Sequence, residues 1–131
     1  MRSRNLFVLL LAFAGAAQAH HSTNMFDNSK CITVTGTVRK LEWVYPHAWL
    51  WIEVLDDKGN ATPWGFEFMS PLQAMGLDPN WKRDVVKRGD KVTVNYAPER
   101  GGQNAGLLSS VVIPNGKSLP AWPGLCGTAP H

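Results

Sequence analysis

The chain has 131 residues, 13 Lys and Arg against 10 Asp and Glu, 44% hydrophobic residues and two cysteines. This length suits one folded domain. The sequence has no Gly-rich phosphate loop, which argues against nucleoside triphosphate chemistry.

The first 19 residues have the pattern of a secretory signal peptide. Arg2 and Arg4 precede an apolar run over residues 6–14, and Ala17-Gln18-Ala19 is a typical cleavage site. Cleavage leaves 112 residues and lowers the formal net charge from +3 to +1. We therefore expect a periplasmic or secreted protein with no nucleic-acid partner. The apolar run is too short to leave a transmembrane segment in the mature chain.

The two cysteines, Cys31 and Cys126, lie near opposite ends of the mature chain. In an oxidising compartment such a pair predicts a disulfide. Neither cysteine has the Cys-x-x-Cys spacing or the nearby second ligand that a metal–thiolate site needs. The bond would hold the Pro/Gly-rich C-terminal tail against the first strand.

Alternating apolar and polar residues predict five strands in chain order. The first contains Gly36, which we expect at a bend or bulge. The Asp/Gly/Asn-rich residues 56–60 predict a hairpin turn between the second and third strands. The predicted strands span residues 32–38, 48–55, 62–68, 91–96 and 106–113.

Between the third and fourth strands, Ser70-Pro71 and Asp78-Pro79 each place an N-cap residue before a proline, which predicts two short helical segments, the second over residues 80–88. Three strands, a helical insert and two strands indicate an all-β fold, a five-stranded, OB-like, partly open barrel. A small β-sandwich is the alternative and would need more strands. The expected organisation is a signal peptide at 1–19, an N-terminal segment at 20–30, the barrel at 31–114 and a tail at 115–131.

Cleavage after Ala19 makes His20 the terminal residue, so its amine and ring nitrogen can chelate one metal ion together. Nitrogen donors in a tetragonal arrangement suit copper, and His21 or His47 could complete the site. Cleavage one residue earlier would instead place His21 third in a square-planar copper or nickel site. Met25 adds a thioether suited to Cu(I). The candidate cofactor is thus copper; the alternative is a solvated terminus and a His47 that only bonds a loop carbonyl.

Aromatic residues are the other candidate binding feature. If the even-numbered residues of the second strand face inward, its two tryptophans face outward and form a platform for an organic ligand or a sugar ring. The predicted platform residues are Trp43, Tyr45, Trp49 and Trp51. Alternatively, the N-terminal segment and the tail cover these rings, or a periplasmic protein partner docks on them. Because no nucleophile elbow or catalytic triad is recognisable, we expect a binding protein rather than an enzyme.

Several short motifs together resemble a family of small exported bacterial proteins of unknown function. The resemblance covers roughly residues 19–113 and implies the exported compartment and the small β-barrel. Its members usually have Asn where this chain has Tyr45. The matching motifs are Ala19-His20-His21-Ser22, Met25-Phe26-Asp27, Thr35-Gly36-Thr37-Val38, Trp43-x-x-Pro46-His47, Trp49, Asp56-Asp57-Lys58-Gly59, Trp64-x-Phe66-Glu67 and Gly89-Asp90-Lys91-Val92.

Overall fold

The structure is a computed structural model that describes residues 25–127, so the predicted signal peptide lies outside the described residues. Six strands and one helix are present in this range. They are β1 (Ile32–Glu42), β2 (Trp49–Leu55), β3 (Ala61–Glu67), α1 (Pro71–Leu77), β4 (Lys91–Pro98), β5 (Ala105–Val112) and β6 (Ser118–Pro120). No helix in this range is long and apolar enough to cross a membrane.

Strands β2 and β3 form the predicted hairpin. They pair antiparallel from Trp49 opposite Glu67 to Leu55 opposite Ala61. In the turn, the Asp56 carboxylate accepts hydrogen bonds from the backbone N–H groups of Lys58 and Asn60. Local polar chemistry therefore fixes the register of this hairpin.

The barrel closes through a parallel pairing of β3 with β5. The long β1 pairs antiparallel with β4 through its first half and with β2 through its second half, and β4 pairs with β5. The prediction of an all-β, five-stranded barrel is confirmed, and the β3–β5 ladder excludes the sandwich.

A bulge in β1 lies between Val38 and Lys40, slightly beyond the position expected from Gly36. Gly36 is required for another reason. A Cβ on Gly36 would lie 2.6 Å from the Glu53 carbonyl oxygen, because the neighbouring strand β2 approaches closely there. Backbone at that distance leaves no room for a side chain.

Only the first of the two predicted helical segments is a helix. α1 begins at a capping box in which the Ser70 hydroxyl accepts from the Gln73 N–H and the Gln73 side chain reaches back to the Ser70 backbone. The prediction of a second helix over residues 80–88 is wrong, and this stretch consists of turns. The buried Trp81 anchors it, since its indole N–H donates to the Pro120 carbonyl at 2.6 Å. Contacts to the barrel thus replace helical bonds.

Two apolar clusters stabilise the fold. The larger fills the barrel and includes Leu50, Phe66 and Trp81. The smaller, here called the seam cluster, lies outside the barrel over β4 and β5 and consists of Phe26, Ala97, Leu107 and Leu125, with Trp122 packed against it.

The described part of the segment expected as a tail, residues 115–127, packs onto the barrel. Its first part forms β6, which pairs with the end of β5 through a turn containing Gly116 at φ 85°. Farther on, the buried Ser109 hydroxyl donates to the Leu125 carbonyl at 2.9 Å. The predicted disulfide is confirmed, with Cys31 and Cys126 joined across 95 residues. The segments that carry Phe26 and Leu125 are thereby held together at the seam cluster.

Candidate functional site

Glu67 occupies an unusual position on the outside of the barrel. The neighbouring Phe66 and Phe68 side chains belong to the barrel core, so the strand alternation directs the Glu67 side chain outward. Its backbone lies between Trp49 on β2 and Leu107 on β5. The carboxylate side chain is nevertheless only 7% exposed. A carboxylate buried to this extent requires a polar partner.

His47 provides that partner. Its Nδ1 forms a hydrogen bond with Glu67 Oε1. Because a carboxylate accepts hydrogen bonds, this contact assigns the ring hydrogen of a neutral His47 to Nδ1 and leaves the Nε2 lone pair available. The His47 side chain is 37% exposed, and within residues 25–127 its Nε2 has no hydrogen-bond partner.

Trp122 connects this pair to the seam cluster. Its ring meets the His47 ring edge-on, with centroids 6.0 Å apart, and it also packs against the cluster that contains Phe26. Phe26 itself is buried and bridges to Glu99 at the end of β4. The N-terminal end of the described chain therefore lies on the same part of the outer surface as the His47–Glu67 pair.

The predicted metal ligands are divided by the limits of the structure. His20 and His21 lie outside the described residues, whereas Met25 is partly exposed beside Phe26, and its carbonyl accepts from the Arg100 N–H at 2.8 Å. Among residues 25–127, no group of three or more His, Cys, Asp or Glu side chains is placed to hold a metal ion. A site at His47 needs donors from beyond this range.

Two of the four predicted platform residues come together. The Trp49 and Trp51 rings stack with centroids 5.6 Å apart at an interplanar angle of 16°. Tyr45 is 65% exposed in the preceding loop, where it forms a cis peptide bond with Pro46. Trp43 does not join the stack; its ring instead lies on Trp81, 6.0 Å away, against the barrel core.

The Trp51 ring is also fixed by polar contacts. Its indole N–H donates to Glu42 Oε2 at 3.0 Å, and the Lys40 ammonium lies 5.7 Å from the ring centroid. Lys40 also hydrogen-bonds Glu42. This bond, together with the bond from Trp51, lowers the pKa of Glu42 below its ordinary value of 4.5. Glu42 is consequently a carboxylate at neutral pH and holds the indole in one orientation.

The partnership of Glu67 and Trp122 with His47 is absent from the sequence-based prediction. In the sequence, Glu67 is visible only as part of the Trp64-x-Phe66-Glu67 motif. The register of the β2–β3 hairpin supplies the missing signal. Beyond Trp49 and Glu67 the hairpin continues with hydrogen bonds between Ala48 and both Phe68 and Met69, which brings His47 diagonally close to Glu67.

A family model described as a family of unknown function (DUF6152) matches residues 8–109. No curated protein and no solved structure matches the chain.

Proposed function

This chain belongs to DUF6152, a family of unknown function, and we propose that it is an exported periplasmic copper-binding protein. His20, His21 and His47 are the proposed nitrogen ligands, with Met25 as an additional sulfur ligand. The oxidising compartment is supported independently by the Cys31–Cys126 disulfide, a type of bond that is rare in the cytosol.

The observation that carries the proposal is the His47–Glu67 pair. Metal-bound imidazoles usually donate their second ring N–H to a carboxylate or carbonyl, which fixes the tautomer and increases ligand basicity. His47 Nδ1 makes this contact, and its Nε2 has no hydrogen-bond partner among residues 25–127. The buried position of Glu67 restricts rotation of the ring. The pair thus has the arrangement expected around an imidazole ligand.

The packing of Phe26 and Trp122 supports the inclusion of the N-terminal histidines in a site with His47. Phe26 packs in the seam cluster, Trp122 packs against that cluster, and the Trp122 and His47 rings are 6.0 Å apart. His20 lies five positions before Met25, and an extended chain spans up to about 17 Å over five such steps. We therefore propose that the N-terminal amine and imidazoles bind beside His47 while Phe26 stays in the seam cluster.

Copper fits this donor set better than the other common metals. Imidazole and amine nitrogens in a tetragonal arrangement suit Cu(II), and a thioether adds affinity for Cu(I). Calcium and magnesium prefer oxygen donors, which the proposed set lacks. Zinc commonly takes imidazoles in tetrahedral sites, so zinc is the competitor that a binding experiment must include.

The test is calorimetric titration of the processed protein with Cu(II) and Zn(II), after intact-mass measurement has identified its first residue. We expect His47→Ala to weaken copper binding by at least tenfold, and Glu67→Gln to weaken it by about tenfold through loss of ligand orientation. The matched control is His131→Ala, which removes an imidazole outside the proposed set and should leave the affinity unchanged.

The electron paramagnetic resonance spectrum of the Cu(II) protein gives a second measurement. The proposed site predicts that the Cu(II) electron spin couples to several nitrogen nuclei. In His47→Ala, the coupling to one imidazole nitrogen should be lost. Unchanged affinity and spectrum in His47→Ala would contradict the proposal, as would equal copper affinity in a chain that retains residues before His20.

A further inference from the structure

A second candidate site lies farther along the same outer face of the barrel. In the strand register it is at Trp51 and beyond, on the side away from the His47–Glu67 pair. It is a surface cleft of about 480 Å³, a volume within the range of small-molecule sites. The residues that line it come from β1, β2, β3 and the loop before β4. They are Arg39, Lys40, Trp51, Pro63 and Arg88.

Strand irregularities bring the cationic side chains of the cleft together. Consecutive residues of a regular strand point to opposite faces, but the β1 bulge between Val38 and Lys40 allows both Arg39 and Lys40 to line the cleft. Arg88 lies in the loop before β4. A hydrogen bond of 2.9 Å from the Gly89 N–H to the Val38 carbonyl holds this loop to β1.

Trp51 and Pro63 supply the apolar walls. The indole ring is fixed by its bond to Glu42 and by its stack with Trp49. Gly65, its cross-strand neighbour, leaves the space that the ring occupies, since a Cβ there would lie 2.5 Å from the ring. A flat ring can therefore enter beside an aromatic surface that is already held in place.

The charges in the cleft do not cancel. The Arg39 guanidinium lies 3.5 Å from the Glu53 carboxylate, and Lys40 contacts Glu42. Within residues 25–127, Arg88 has no carboxylate within ion-pair distance. Three cations thus face two carboxylates, and one positive charge remains for a ligand.

We propose that this cleft binds a compact ring compound carrying one carboxylate. The ring packs against Trp51 and Pro63, and the carboxylate accepts hydrogen bonds from Arg88, with Arg39 close by. A guanidinium matches a carboxylate in shape as well as in charge. Aromatic acids and uronic acids share this chemistry. The cleft and the proposed copper site have no residue in common, so either proposal can fail without the other.

The test is calorimetric titration of the metal-free processed protein with benzoate and with glucuronate, each beside its neutral counterpart, benzamide or glucose. At least one anion should bind at millimolar concentration or below, and its neutral counterpart should bind at least tenfold more weakly. Binding of benzoate alone identifies the aromatic-acid class, and binding of glucuronate alone identifies the acidic-sugar class.

Paired variants locate the binding. Arg88→Gln should lower the affinity for the anion by about tenfold or more, since it removes a charge-assisted hydrogen bond. Arg83→Gln removes an exposed cation that does not line the cleft and should leave the affinity unchanged. Three outcomes would each overturn the proposal: no binding of either anion, equal binding of the neutral counterpart, or equal affinities of the two variants. Thermal unfolding of both variants verifies that each remains folded.

Discussion

Replacement of Gly65 by alanine tests whether β3 must lack a side chain to accommodate Trp51. A Cβ at this position would lie 2.5 Å and 2.8 Å from two carbon atoms of the indole ring, whereas ordinary contacts begin at 3.4 Å. The ring must therefore move by nearly 1 Å. Such a movement disturbs its 3.0 Å hydrogen bond to Glu42 and its stacking with Trp49.

The expected loss of stability follows from these contacts. Forcing one additional carbon into a packed site typically costs about 1 to 3 kcal/mol, and a weakened hydrogen bond to a carboxylate falls within that range. For a domain of roughly 100 residues this loss lowers the Tm by roughly 5 to 20 °C. Intrinsic strand propensity acts in the opposite direction, because glycine is unfavourable within a strand.

Gly76→Ala is the matched control, because the same atom is added where nothing lies within 4 Å. Gly76 is exposed on α1, so alanine should stabilise the protein by about 0.5 to 1 kcal/mol. Urea unfolding, followed by tryptophan fluorescence, measures both changes. A Gly65→Ala protein as stable as the Gly76→Ala protein would refute the close-packing argument.

Two further predictions concern the disulfide and Glu42. Replacing Cys31 and Cys126 by serine should lower the free energy of unfolding by up to about 4 to 5 kcal/mol, the chain-entropy value for a loop closed across 95 residues. Urea unfolding measures this change, and a loss below about 1 kcal/mol would contradict a stabilising role of the disulfide. Because Lys40 and Trp51 lower the pKa of Glu42, its ionised contacts stabilise the fold above the unfolded pKa near 4.5 and are lost as the pH falls through the lower folded value. Glu42→Gln should therefore reduce the Tm at neutral pH, with a difference from the original protein that shrinks on acidification; a constant difference would exclude this origin.

The barrel was predictable because local and long-range signals agree. Residues Thr33, Thr35 and Thr37 alternate with apolar residues in β1, and the Asp56 turn fixes the hairpin register. The strand pattern then left few ways to arrange five strands around one helical insert. Closure between β3 and β5 satisfies strand edges that would otherwise remain open.

The prediction of a second helix was wrong because capping signals are local and do not report which side chains the core buries. Asp78-Pro79 does resemble a helix start, and the Asp78 carboxylate accepts from the Asn80 N–H. Trp81, however, is almost fully buried and bonds to Pro120, which lies 39 residues later in the chain. Burial of so large a ring outweighs the weak helical preference of a short polar segment.

The candidate sites were partly visible in the sequence. His47 was identifiable as a histidine in a loop rich in aromatic residues, but its partner was not. Glu67 is recognised only when the hairpin register extends past Trp49, since local sequence gives a strand carboxylate no reason to be buried. The cleft was harder still to predict, because Gly36 indicates a bend or bulge in β1 but does not place it between Val38 and Lys40, where it brings Arg39 beside Lys40.

One row of outward residues connects the two proposed sites and provides a means of separating them. Glu67 is the cross-strand neighbour of Trp49, which stacks on Trp51, and Gly65 is the cross-strand neighbour of Trp51. An alanine at Gly65 moves an aromatic wall of the cleft but adds no atom beside His47. It should therefore weaken carboxylate binding without changing copper affinity. Hydrogen-bonded strands hold the backbone between the sites in place. A loss of both affinities would therefore mean that moving Trp51 also moves Trp49 and, next to it, the buried Glu67. The two sites would then be energetically coupled.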